Sequence, residues 1–86
     1  MKIVYHKKFL KSFNKLERQK QQAVTVTVDT FRLNPFNPAL RNHSLKGGMK
    51  GQRSLSAGFD LRIIFEESDG YAVVIMIAVG THGEVY

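Results

Sequence analysis

QRSLSAGFDLRIIFEESDGYAVVIMIAVGTHGEVY, residues 52–86, is the stretch on which the fold turns. It divides into three strands in series: QRSLSAG, LRIIFEE and YAVVIMIAVG. Ser68-Asp69-Gly70 joins the second to the third. An Asp-Gly pair between apolar runs signals a hairpin, because glycine accepts the positive φ that a tight turn requires. Tyr71 to Val79 is almost unbroken apolar sequence, rich in Val and Ile. That is the pattern of a strand covered on both faces at the centre of a sheet. Beyond it the chain turns polar, Gly80-Thr81-His82-Gly83-Glu84-Val85-Tyr86, and sets a histidine where the core strand reaches the surface.

The upstream residues must cover this sheet. Lys2 to Tyr5 is short and apolar enough for a strand, at an edge or inside the sheet. From His6 or Lys7 the period changes. Phe9, Leu10, Phe13 and Leu16 share one helical face, and Lys7, Lys8, Lys11 and Lys15 lie mostly on another. The simplest reading of that lysine face is a solvated one. Arg18 to Leu33 contains two conflicting signals. Val24-Thr25-Val26-Thr27-Val28 alternates and is β-branched, as in a strand. Yet Val24, Val28 and Phe31 also share a helical face, and no turn signal interrupts Glu17 to Arg32. The expectation is a second helix, forming a hairpin with the first. Asn34-Pro35-Phe36-Asn37-Pro38 ends it, since residues before proline avoid helical backbone. Arg41 to Arg53 has no period, bears three glycines, and reads as a loop. The sum is one α+β domain over residues 1–86, a helical hairpin on a small, mainly antiparallel sheet.

The totals bound the function. Eighty-six residues build one modest core, and the absence of cysteine removes disulfides and thiolate metal sites. No run approaches the roughly 20 apolar residues of a membrane helix. The N-terminus does not read as a signal peptide, so the expected location is the cytoplasm. The net charge is +6, and all thirteen Lys and Arg residues lie at or before Arg62. After Arg62 there are four acidic residues and no basic one. Such a basic body suits a polyanionic partner, nucleic acid or an acidic protein segment. A well-solvated small domain accounts for the charge equally well.

No metal-ligand spacing, nucleophile elbow or phosphate-binding glycine loop is present. The remaining groups suit metal-independent RNA cleavage, with no cofactor. That reaction needs a base for the 2′-hydroxyl proton, an acid for the leaving 5′-oxygen, and cations for the phosphate. Histidine can take either proton role near neutrality. His82 follows the core strand, His43 lies in the basic loop, and Asp60 opens the middle strand just before Arg62. Lys46, Lys50, Arg53 and Arg62 supply positive charge, and arginine can grip phosphate in bidentate fashion. Each has a plainer reading: a strand-end histidine bonding a neighbour, Asp60 capping a turn, Tyr86 packing its ring on the sheet.

The segments NHSLKGGMKGQRSL, DLRIIFE and GTHGEVY, in this order, resemble the RelE/ParE superfamily of type II toxin–antitoxin toxins, in particular the YafQ-like RelE branch. The likeness spans nearly the whole chain and is specific from Asn42 onward. It implies a β-α-α-β-β-β toxin that enters the ribosome and cleaves translated mRNA, neutralised by a cognate antitoxin. The 2′-hydroxyl attack would leave a 2′,3′-cyclic phosphate, and operator DNA would be bound only through the toxin–antitoxin complex. By this resemblance His43, Asp60, Arg62 and His82 are catalytic, and Lys46, Lys50, Arg53 and Tyr86 contact RNA. Three positions depart from the branch: Ser56 where a second histidine is common, Leu61 in place of tryptophan, and Ala78 in place of arginine. Arg62 is the candidate to replace that lost charge. Two alternatives accompany the resemblance: a ParE-type inhibitor of DNA gyrase, and an inactive remnant serving only as antitoxin partner or co-repressor.

Overall fold

A computed structural model describes every residue from Met1 to Tyr86. The order is β1 (Lys2–Tyr5), α1 (Lys7–Asn14), α2 (Arg18–Leu33), β2 (His43–Ser44), β3 (Arg53–Ser56), β4 (Leu61–Ser68), β5 (Val73–Thr81) and α3 (His82–Val85), with 3-10 turns at Pro38–Leu40 and Gly47–Met49. The five strands form one sheet in the order β1-β5-β4-β3-β2. β1 runs parallel to β5, and every other pairing is antiparallel. The architecture is α+β, as expected. The stretch read as a plain loop contributes an extra strand, because His43 and Ser44 pair with Ser54 and Arg53.

The two signals in α2 are reconciled by its threonines. The hydroxyls of Thr25, Thr27 and Thr30 donate to the carbonyls of Gln21, Ala23 and Val26, one turn back, at 2.8–3.0 Å. A β-branched residue that satisfies its own hydroxyl this way can sit in a helix, even on its buried side. Val24, Thr27, Val28 and Phe31 accordingly form the buried face. α1 buries Phe9, and the imidazole Nδ1 of His6 caps it by accepting from the Lys8 amide at 3.0 Å. One cluster joins Phe9, Val24, Val28 and Phe31 to Leu55, Leu61, Ile63, Phe65, Val74, Met76 and Val79. Phe31 meets Phe65 edge-on at 5.0 Å.

Residues directly opposite one another across a sheet point to the same face. Leu55, Ile63 and Val79 are such partners and belong to the helix-side core. Ser54, Ile64 and Ala78, one residue away along each strand, point to the other face, with His43 beside Ser54. α3 lies over this second face, against β5 and β4. It closes onto Gly80, where a Cβ would come within 3.1–3.2 Å of Glu84 and Val85. β5 is therefore an inner strand but is not covered on both faces throughout: Ala78 and Gly80 are buried, whereas Ile75 stays 38% exposed. At the β4–β5 turn Asp69, Gly70 and Tyr71 have φ of 54°, 62° and 71°, so the left-handed Asp-Gly backbone is present but the turn is longer than expected. Tyr71, read as the first strand residue, belongs to it, and pairing resumes at Val73 opposite Ser68. No helix is long and apolar enough to cross a membrane.

Candidate active site

Chain reversals bring His43 and His82 to one place. His82 opens α3 directly after β5, and His43 opens β2 at the far side of the sheet. Both line a shallow recess of about 340 Å³ with Leu45, Lys46, Met49 and Tyr86. The His82 and Tyr86 rings stand edge to face, 4.4 Å between centroids. The Tyr86 hydroxyl crosses the floor and donates to Ser54 Oγ. His43 Nδ1 lies 2.8 Å from the Arg41 carbonyl oxygen. A carbonyl can only accept, so Nδ1 carries the proton and Nε2 is the free position of the neutral ring.

α3 is held in place locally. Its first free amide, that of Thr81, donates to Glu84 Oε1 at 2.8 Å, one half of a capping box. This bond, then one from the Thr81 hydroxyl, lowers the Glu84 pKa below the ordinary carboxylate value; desolvation opposes them in part, and the charge of Lys20 adds a lesser lowering.

Other candidate residues lie elsewhere. Asp60 and Arg62 line a separate recess of about 660 Å³ with Arg41 and with Thr27 and Thr30 of α2. Arg62 curls back there, donating from Nη1 to the Leu61 carbonyl at 3.0 Å, with Nη2 3.9 Å from Asp60 Oδ1. Arg53 pairs with Phe65 and so faces the helix side. Its Nε donates to Asn42 Oδ1 at 2.8 Å, while Asn42 Nδ2 bonds the Tyr71 hydroxyl and the Pro35 carbonyl. Lys46 reaches the histidine recess; Lys50 is exposed on the same turn without lining it. The four catalytic candidates thus divide into a histidine pair and an Asp60–Arg62 pair. Sequence reading missed Ser54, Asn42 and Met49. Only Ser54 left a signal: in RSLS, alternation about the inward Leu55 turns both serines to the opposite face.

A helix pair on one face of a mixed five-stranded sheet, with a short C-terminal helix crossing the other, is a fold this chain shares with the solved structures of YafQ and of a YoeB/ParE toxin. YafQ from E. coli strain BL21(DE3) superposes with a TM-score of 0.80 at 19% identity, covering 98% of this chain and 96% of that one. The YoeB/ParE toxin from Agrobacterium tumefaciens gives 0.78 at 18% identity, over 95% and 99% of the two chains. A chain of the E. coli DinJ-YafQ complex gives 0.69 at 19% identity, over 98% and 96%. No protein-family model and no curated protein sequence matches the chain.

Proposed function

We propose that this protein is the toxin of a type II toxin–antitoxin pair and a ribosome-dependent endoribonuclease acting on translated mRNA. The observation that carries this reading is the meeting of His43 and His82, with Lys46, in one exposed recess. His43 Nε2 takes the 2′-hydroxyl proton, since its Nδ1 is engaged with the Arg41 carbonyl. The 2′-oxygen attacks phosphorus, the bond from phosphorus to the 5′-oxygen breaks, and protonated His82 gives its proton to the leaving oxygen. The products are a 2′,3′-cyclic phosphate and a 5′-hydroxyl. Lys46 neutralises the phosphate, and Tyr86 offers its ring edge to a base.

Asp60 and Arg62 act outside the recess, on the RNA strand beyond the scissile bond. The +6 net charge draws the protein to ribosomal RNA and message and suits an acidic antitoxin segment. An antitoxin partner is supported by the likeness to a chain of the E. coli DinJ-YafQ toxin-antitoxin complex. Operator DNA is engaged through that complex, and the site of action is the cytoplasm.

The test is induced expression with and without His82→Ala, scoring growth and mapping mRNA 5′ ends by primer extension. Arrest with new ends that require ongoing translation, both lost in the variant, is the expected result. Arrest without new ends, together with inhibition of DNA supercoiling by the purified protein, would replace this reading with gyrase inhibition.

A further inference from the structure

We propose that Ser54 is a positioning residue of this site, and that its bond to the Tyr86 hydroxyl is the latch that sets His82 over the recess. The inference rests on the nuclease reading for its catalytic consequence. Ser54 has no exposed surface, an unusual place for a hydroxyl. Register puts its side chain on the second face of the sheet, between His43 on β2 and Ile64 on β4. There its hydroxyl has one side-chain partner, the phenol of Tyr86. That phenol belongs to the residue just past α3, and the Tyr86 amide donates back to the His82 carbonyl at 3.1 Å.

α3 is only one turn long, and a helix so short does not hold itself. At one end the Thr81–Glu84 bond and the close packing on Gly80 fix it to β5. At the other end, the Ser54–Tyr86 bond ties it to β3. The imidazole of His82 lies against the Tyr86 ring and inherits its orientation from that second tie. Ser54 therefore holds the two histidines in mutual register: β3 carries β2, and with it His43, on one flank, and secures Tyr86 through its hydroxyl.

Two single variants separate this role from base stacking. Tyr86→Phe keeps the ring and removes the hydroxyl; Ser54→Ala removes the acceptor beneath the surface, where RNA does not reach. In single-turnover cleavage of ribosome-bound mRNA, each lowers the rate constant about 10- to 100-fold while half-saturation stays unchanged. The double variant falls no further than the worse single one, because both remove the same bond. If Tyr86→Phe cleaves at the parent rate, or if the two losses multiply, the latch is wrong.

A second measurement does not need cleavage. In both variants, hydrogen exchange at the Tyr86 amide accelerates and the His82 ring protons shift, while the core amides of β4 keep their protection. Unchanged exchange and unchanged His82 shifts would overturn the latch. Absence of cleavage by the parent protein would refute the nuclease reading alone, leaving exchange to decide on Ser54.

Discussion

The carbonyl of Arg41 settles which nitrogen of His43 is free, and this is chemistry that a single backbone conformation supplies. Arg41 has φ of 51°, a left-handed conformation that ends the Pro38–Leu40 turn just before β2. A β-branched residue tolerates that backbone poorly, so Arg41→Val should strain the turn and displace the carbonyl, whereas Arg41→Gly should preserve it. Replacing His43 itself has a sharper consequence. His43→Ala should lower cleavage about 10²- to 10⁴-fold, the usual contribution of a general base, with little change in thermal stability because the ring is exposed. Added imidazole should restore part of the rate, since the recess is open to solvent. A variant that retains the parent rate would remove His43 from the mechanism. Asn42, its neighbour, plays the opposite part. It joins Arg53, Tyr71 and Pro35 by three hydrogen bonds, and Tyr71 in turn packs on Phe31, Phe36 and Phe65. Asn42→Ala should cost about 1–3 kcal/mol, read as a lower urea midpoint with an unchanged m-value.

Elements obey the sequence where one signal dominates and diverge from it where two compete. Residues 61–68 and 73–81 form strands where the apolar runs predict them, with the third strand starting two residues later than read because Tyr71 and Ala72 complete the Asp69-Gly70 turn. α2 was legible from its helical face despite VTVTV, because burial of Val24, Val28 and Phe31 outweighs a modest strand propensity. Phe31→Ala should therefore cost about 3–5 kcal/mol, the range for emptying a buried aromatic site, measurable by the same denaturation. β2 was not legible: two residues carry no period, and their strand character comes only from pairing with β3. Partial cover of β5 was equally hidden, since an apolar run cannot show that α3 reaches Ala78 but not Ile75. α3 itself carries a pH dependence whose sign follows from Glu84. Its carboxylate is favoured by the Thr81 bonds, so the folded pKa lies below the ordinary value. The stabilisation is complete above the unfolded-state pKa and is lost as pH falls through the lowered one. α3 should keep its cap through neutral pH and loosen only in acid, with the Thr81 amide resonance titrating there. Loosening near neutrality would mean that another group controls it.

At the scale of the whole molecule, charge and topology decide different things. On the nuclease reading, the excess of thirteen basic residues over seven acidic ones makes association with ribosomal RNA salt-sensitive. Lys46→Ala with Lys50→Ala should flatten the salt dependence of binding by about one unit per lysine at most, measured by filter binding over a range of salt. An unchanged slope would place the phosphate contacts elsewhere. Sequence alone supplied His43 and His82 as candidates, but their convergence depends on strand order, which no local pattern encodes. The same topology sends Asp60 and Arg62 to a different recess and ties Arg53 into the helix side, although Arg53 follows His43 in the same basic segment. Whether the histidine recess cuts RNA is read most directly from the products left when purified protein cleaves ribosome-bound mRNA. The parent should leave 2′,3′-cyclic phosphate ends, and His43→Ala and His82→Ala, each folded, should both lose about 10²-fold or more in rate. Cleavage that persists in both variants, or fragments ending in a plain 3′-hydroxyl, would contradict cutting by the recess.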